Sequence, residues 1–201
     1  MASSSSTSAP TGASSSGNSF PPEEIRAILA EVSALLQSRG ESVAVAETAA
    51  GGLISASLIS TPGASGYYRG GLTLYTLVSR LRYAGWTRES VKSYAGPTPD
   101  IVARLARHVR ADLGEGADGE QIQAGTDVTY VIAESGTAGP TGGESRNRTP
   151  GYVALAVDCE KGCFTREVET GLGGDREANM VRFAVEGLKL LRDVIKGDAK
   201  L

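Results

Sequence analysis

Apolar positions along the chain follow two periods. Ile25, Ile28, Leu29, Val32, Leu35 and Leu36 recur every three or four residues, the spacing that gives a helix one apolar face. Pro21-Pro22-Glu23-Glu24 supplies a helix start and Gly40 a stop. Ser42 to Ala46 then predicts a short buried strand, Glu47 to Gly52 a turn, and Leu53 to Ile59 a helix. Further along, Leu72 to Tyr75 predicts a strand, followed by a helix carrying Val78, Leu81 and Arg82. Pro99 to Leu113 is an amphipathic helix with Thr98 as its N-cap, and Val128 to Ala133 a strand. Tyr152 to Asp158 and Phe164 to Glu169 predict paired strands around Cys-Glu-Lys-Gly-Cys. Asp175 to Ile195 is a last long helix, with Val181, Ala184, Val185, Leu188, Leu191 and Val194 on its core side. Strands alternating with helices predict an α/β fold, a single three-layer α/β/α sandwich domain over residues 20–201. Ahead of it, residues 1–19 hold nine serines and almost nothing to bury, the composition of a disordered tail. That tail lacks the basic start and apolar run of a secretory signal, which points to a cytoplasmic protein.

Charge removes several classes of function. With 20 basic against 23 acidic residues the net charge is −3, which gives no footprint for nucleic acid. The apolar runs fall far short of a membrane span. One histidine and no Cys-x-x-Cys pair predict no metal and no cofactor; the two cysteines, Cys159 and Cys163, flank a hairpin turn and are expected as reduced thiols.

Glycine changes the picture most. The chain has 26, concentrated in turns beside strands or at helix starts. Three such turns stand out: Glu47-Thr48-Ala49-Ala50-Gly51-Gly52, the run Gly136 to Gly143, and Gly171-Leu172-Gly173-Gly174-Asp175-Arg176. Backbone amides in such turns bind a phosphate or a developing oxyanion. None of the three fits the dinucleotide-binding or P-loop pattern, since Gly142-Gly143 is followed by Glu144. The segment 134–151 is too long for an ordinary connection and is a functional candidate on that ground.

These segments, in this order, resemble the CinA C-terminal domain family, whose characterised members are nicotinamide mononucleotide (NMN) deamidases. Ala46 to Gly52 is similar to the family's AESCTGG, and Tyr68 through Gly70-Gly71 to Tyr75 to its aromatic–GG–strand–Tyr segment. Ser135 to Gly143 is similar to its TGIAGPGGG, Gly174-Asp175-Arg176 to its GDR helix start, and Thr149-Pro150-Gly151 to a TP(V)G turn one residue shorter. Residues 114–126 look like an insertion the family lacks. The resemblance implies a serine amidohydrolase that releases ammonia from NMN, with a homo-oligomeric state and a small-molecule nucleotide ligand. Glu47, Gly51, Gly52, Tyr68, Gly136, Ala138, Gly139, Gly142 and Arg176 then fall at substrate-binding positions.

The departures sit at the chemistry. The family's nucleophilic Ser is Thr48 here, its following Cys and Thr are Ala49 and Ala50, and its Lys, five residues after the Tyr, is Arg80. The family's Asn two residues after the Tyr is Leu77. Threonine's extra methyl restricts its rotamers, and a guanidinium cannot act as a general base, so no Ser–Lys dyad operates. Two readings follow. In one, Tyr75 is the base, Arg80 stabilises its phenolate, Thr48 attacks, and the Gly51 and Gly52 amides hold the oxyanion. In the other, the chain keeps a nucleotide site and has lost or altered the reaction, with Arg80 pairing Glu47 or a ligand phosphate. Tyr67 and Tyr68 are candidates for stacking on a ring, although packing of a turn aromatic is at least as common. Arg146 and Arg148 read as solvated loop residues, His108 as an exposed helix residue, and Trp86 as a core or interface residue.

Overall fold

Five strands form one mixed sheet in the order β2-β1-β3-β4-β5. They are β1 (Val43–Glu47), β2 (Tyr68–Thr73), β3 (Tyr130–Gly136), β4 (Tyr152–Cys159) and β5 (Gly162–Glu169). The helices are α1 (Glu23–Arg39), α2 (Leu53–Ile59), α3 (Leu77–Tyr83), α4 (Arg88–Lys92), α5 (Pro99–Gly114) and α6 (Arg176–Lys196). The computed structural model describes residues 20–114 and 128–201. The serine-rich tail and nearly all of the segment 114–126 therefore lie outside the described residues.

β1 is an interior strand, parallel to both of its neighbours, and every one of its residues is buried. A strand covered on both faces needs an unbroken apolar run, which Val43 to Ala46 supplies. Its side chains alternate between two cores. Val43 and Val45 pack with α1, α2 and α6, around Leu36, Ile54, Phe183 and Leu188. Ala44 and Ala46 pack with α5, around Val102, Leu105 and Val109. The three layers read from the sequence are present, with each fully buried Leu, Ile or Phe contributing about 1.5–3 kcal/mol of hydrophobic stabilisation.

Local chemistry sets the ends of the outer helices. Gly40, at φ 64°, closes α1 with its N–H on Gln37 O while Glu41 N–H donates to Leu36 O. Asp175 caps α6, its carboxylate accepting from Ala178 N–H at 3.1 Å, and Gly197 ends that helix at φ 82°. Thr98 caps α5 through the Ile101 N–H at 3.3 Å, as expected.

Three boundaries differ from the sequence reading. β2 begins at Tyr68 rather than Leu72, because Gly70-Gly71 continues the ladder to β1 instead of breaking it. A Cβ at Gly71 would lie 2.9 Å from Val45 O, so glycine here permits close strand approach. β3 extends past Ala133 to Gly136, which makes Glu134 and Ser135 buried strand residues and not part of a loop. α4, capped by Thr87 through Ser90 N–H, has too few apolar residues to show in the sequence pattern.

Cys159 and Cys163 do not approach each other. In the β4–β5 register Cys159 lies opposite Gly162 and Cys163 opposite Asp158, and the two side chains enter opposite cores. Among the described residues no helix is long and apolar enough to cross a membrane, and no group of three or more His, Cys, Asp or Glu side chains is placed to hold a metal.

From β1 the chain crosses to β2 by way of α2 on one face. It returns from β2 to β3 by way of α5 on the other. The two crossovers thus lie on opposite faces of the sheet, and β2 and β3 flank β1 on its two sides. In open α/β sheets the crevice beyond the carboxyl ends of such strands is where ligands bind.

Candidate active-site cleft

A cleft of about 500 Å³ opens at that place. Ala49, just after β1, lies on its floor, and Tyr75 and Leu77, just after β2, line one side. Gly136 to Gly139, Thr141 and Gly142 follow β3 and form a second side. Tyr94, Gly96 and Pro97 face them, and Arg148 and Arg176 add the only charged side chains of the lining among the described residues.

The loop after β3 is held by side chains rather than by regular structure. Asn179, fully buried on α6, donates to Ala138 O at 3.0 Å and Gly173 O at 2.8 Å, and accepts from the Thr170 hydroxyl at 2.5 Å. Asn147 donates to Ala95 O and Pro97 O, which ties the loop to the opposite wall. Glycine is required where these segments touch. A Cβ at Gly136 would meet Phe183 Cε2 at 2.6 Å, and one at Gly142 would meet Arg148 O at 2.5 Å. Gly139 adopts φ 91°, a backbone region that other residues rarely enter.

Arg176 opens α6, where the helix dipole disfavours a cation. Its position is fixed by a carbonyl and a phenol: Nη1 donates to Gly139 O at 2.7 Å and Nη2 to the Tyr75 hydroxyl at 2.9 Å. The guanidinium also lies 5.8 Å from the Tyr75 ring centre. The cation on Tyr75 is thus Arg176, not Arg80 as the sequence reading had it.

Arg80 is 4 % exposed and its guanidinium packs against two aromatic rings, 5.1 Å from Trp86 and 5.0 Å from Tyr94, whose own centres are 5.6 Å apart. Its Nε donates to Leu74 O at 3.2 Å, and Nη1 is buried without a hydrogen-bond partner. Among the described residues no ion pair joins Arg80 to a carboxylate, so the expected pairing with Glu47 is not formed. The Glu47 carboxylate instead caps α2. It accepts from Ile54 N–H, Ser55 N–H and the Ser55 hydroxyl, at 3.0, 3.1 and 2.6 Å, and stays fully buried away from the cleft.

Thr48 is 2 % exposed and does not line the cleft. Its hydroxyl donates to Ser135 Oγ at 3.2 Å. Its N–H and that of Ala50 both donate to Glu134 Oε2, at 2.9 Å each. The Gly51 N–H is taken up by Thr48 O inside the same turn, and Gly52, at φ 101°, serves as the N-cap of α2. Neither glycine lines the cleft. Tyr68 is half-buried on the α2 side, where burial pushes its phenol pKa up, and Tyr67 donates to Leu58 O inside the core. Of the residues singled out from the sequence, Tyr75, Gly136, Ala138, Gly139, Gly142 and Arg176 meet in the cleft, whereas Thr48, Arg80, Glu47, Gly51, Gly52 and Tyr68 stand behind or beside it.

Sequence reasoning missed Glu134, Ser135, Tyr94 and Asn179. Glu134 is the most perturbed acid near the cleft. Burial pushes its carboxyl up to about 7, against the Ala50 and Thr48 N–H bonds and the Arg80 charge, which favour the anion. Oε1 of this carboxyl is buried without a partner. A signal existed for Glu134: an acid directly after the apolar run Val131-Ile132-Ala133 has to be either a helix cap or a buried polar anchor. Arg146, expected in solvent, pairs with Glu167 and Glu169 and lies over the Tyr152 ring, while Arg148 reaches the cleft.

Comparison with known proteins gives a consistent answer. Residues 25–195 match the CinA C-terminal domain. A CinA-like protein of Syntrophomonas wolfei is 31% identical over 169 residues, covering 84% of this chain and 37% of the relative. One from Shewanella amazonensis is 31% identical over 171 residues, covering 84% and 36%. The chain thus spans little more than a third of the length of the curated relatives it matches. Among solved structures, a competence/damage-inducible protein, CihA, of Agrobacterium tumefaciens superposes with a TM-score of 0.73 at 21% identity, over 89% of this chain and 99% of that one. A CinA superfamily protein of Klebsiella pneumoniae gives 0.73 at 20% identity, over 86% and 98%. With the three layers, the sheet order and the glycine turns all in place, the chain belongs to the CinA C-terminal domain family.

Proposed function

We propose that this domain binds a phosphate-bearing small molecule of the pyridine mononucleotide class in the cleft, and that Thr48 does not hydrolyse the ligand's amide. The observation that carries the reading is the contrast between the two sets of residues. Turn backbone, Arg148 and Arg176 line the cleft, and no acidic side chain does among the described residues. The Thr48 hydroxyl, in contrast, is buried on Ser135, with no lysine in hydrogen-bond contact and with Arg80 held against aromatic rings. A nucleophile needs a base in reach and a path to the carbonyl carbon, and Thr48 has neither. The rival reading, NMN deamidation by Thr48 with Tyr75 as base, requires a phenol that loses its proton readily. Arg176 on the Tyr75 oxygen is the one feature that favours it.

Calorimetric titration with NMN, run beside an ammonia-release assay, separates the two. The expected result is saturable binding without ammonia, unchanged in Thr48→Ala. Ammonia release by the wild type that disappears in Thr48→Ala overturns the proposal in favour of a threonine-based amidase. No binding of NMN overturns the ligand class.

A further inference from the structure

The cleft has an aromatic wall that the sequence did not single out. Tyr94 lines it, half-buried, and one side of its ring lies on the Arg80 guanidinium at 5.0 Å. Beneath, Trp86 takes the same guanidinium at 5.1 Å and tilts against Tyr94 at 5.6 Å between ring centres. Trp86 and Arg80 are both buried, and with Tyr94 they form a closed cluster whose three members touch pairwise, so the Tyr94 ring rests on a fixed base. The base is anchored at Arg80 by Nε on Leu74 O, directly after β2. Tyr75, the other aromatic residue of the lining, is 60 % exposed and hydrogen-bonded to Arg176, so it has no comparable support from the core. A ring fixed by packing loses little entropy when a planar group stacks on it, which makes it a better platform than a mobile one.

Resting on the proposed cleft reading, we propose that Tyr94 is the surface on which a planar aromatic ring of the ligand stacks, and that Arg80 is a positioning residue that holds Tyr94 in place. Both assignments are independent of hydrolysis. They give the arginine at the family's lysine position a task that a guanidinium can perform, since delocalised planar cations pack on aromatic faces. They also predict that the domain discriminates by the ring of its ligand and not by phosphate alone.

The test is a set of titrations with NMN and with ribose 5-phosphate, which shares the phosphorylated sugar and lacks the ring. Wild type, Tyr94→Leu, Tyr94→Phe and Arg80→Met are compared by the ratio of the two affinities, with thermal melting to verify folding. Tyr94→Leu alters no charge, so a change in the ratio reports the ring alone. Loss of one stacking face is expected to cut NMN affinity roughly tenfold and leave ribose 5-phosphate unchanged, with Tyr94→Phe restoring the wild-type ratio. Arg80→Met is expected to lower the ratio in the same direction and to shift the fluorescence of Trp86, the only tryptophan in the chain. A ratio that stays at the wild-type value in Tyr94→Leu overturns the stacking assignment while leaving the cleft reading intact. Equal loss of both ligands in Arg80→Met, with the ratio kept, overturns its positioning role. Failure of NMN to bind the wild type overturns the cleft reading and this proposal with it.

Discussion

The Glu134 carboxyl is fully buried under the turn that opens α2, and it titrates near 7 rather than at the ordinary 4.5 because burial penalises its charge. That rise is a statement about stability. In the unfolded chain the group ionises around its ordinary value, whereas in the folded chain it stays protonated until about 7. Folding is therefore helped by the neutral carboxyl below the unfolded value, and that help is lost as pH rises through the folded one. At about 1.4 kcal/mol per pKa unit, the interval amounts to roughly 3 kcal/mol, most of which falls between pH 5 and pH 8. Glu134→Gln keeps an acceptor for the Thr48 and Ala50 N–H groups and removes the titration. Urea unfolding of wild type and variant at unit steps from pH 5 to 8 then isolates this one group, because all other titrations cancel in the difference. The variant is expected to gain roughly 2–3 kcal/mol on the wild type across that range, about 5–10 °C in melting temperature for a domain of this size. A difference that stays flat within about 0.5 kcal/mol would refute the reasoning, since the carboxyl would then be ionised in the fold throughout, as it is in the unfolded chain.

Three further outcomes follow from the same contacts. Gly136→Ala places a Cβ 2.6 Å from Phe183 Cε2; the overpacking is expected to cost about 1–3 kcal/mol in chemical denaturation, and a neutral result would show that α6 yields there. Asn179→Leu leaves Ala138 O and Gly173 O without their buried donor, at an expected cost of about 2–4 kcal/mol and with NMN affinity falling at the same time, read by melting and calorimetry. Thiol titration with a chromogenic disulfide should count two free thiols in the unfolded protein whether or not it was first exposed to mild oxidant, because Cys159 and Cys163 point into opposite cores; a count that drops after oxidation without dimer formation would contradict that placement.

The fold was legible where periodicity and punctuation agree. The apolar face of α1, its Gly40 stop, the Thr98 cap and the long α6 all read directly, because each obeys a local rule that tertiary packing reinforces. Reading failed where polar and small residues lie in buried strands. Gly70-Gly71 and Glu134-Ser135 have the composition of turns, yet they are strand residues. Close approach to β1 requires Gly71, and the backbone N–H groups of Thr48 and Ala50 satisfy one oxygen of the buried Glu134 carboxyl. At the cleft, motif position located the glycine turns and Arg176. It did not locate partners, since which cation meets which phenol depends on crossings between segments 101 residues apart, as with Arg176 and Tyr75. Tyr94 carried no sequence signal, as its platform exists only once Arg80 and Trp86 are stacked under it.

Asn179 and Arg176 belong to the last helix, while the turns they secure come from the middle of the chain. During synthesis the sheet residues of β1 and β3 leave the ribosome well before these two side chains do. A nascent chain can thus assemble the core on the α5 side of the sheet, while the core on the other side, the knot at Ala138 and the cation beside Tyr75 all wait for α6. A molecule that recognises only the finished cleft would therefore stabilise chains that include the first turn of α6 and ignore those cut short of it.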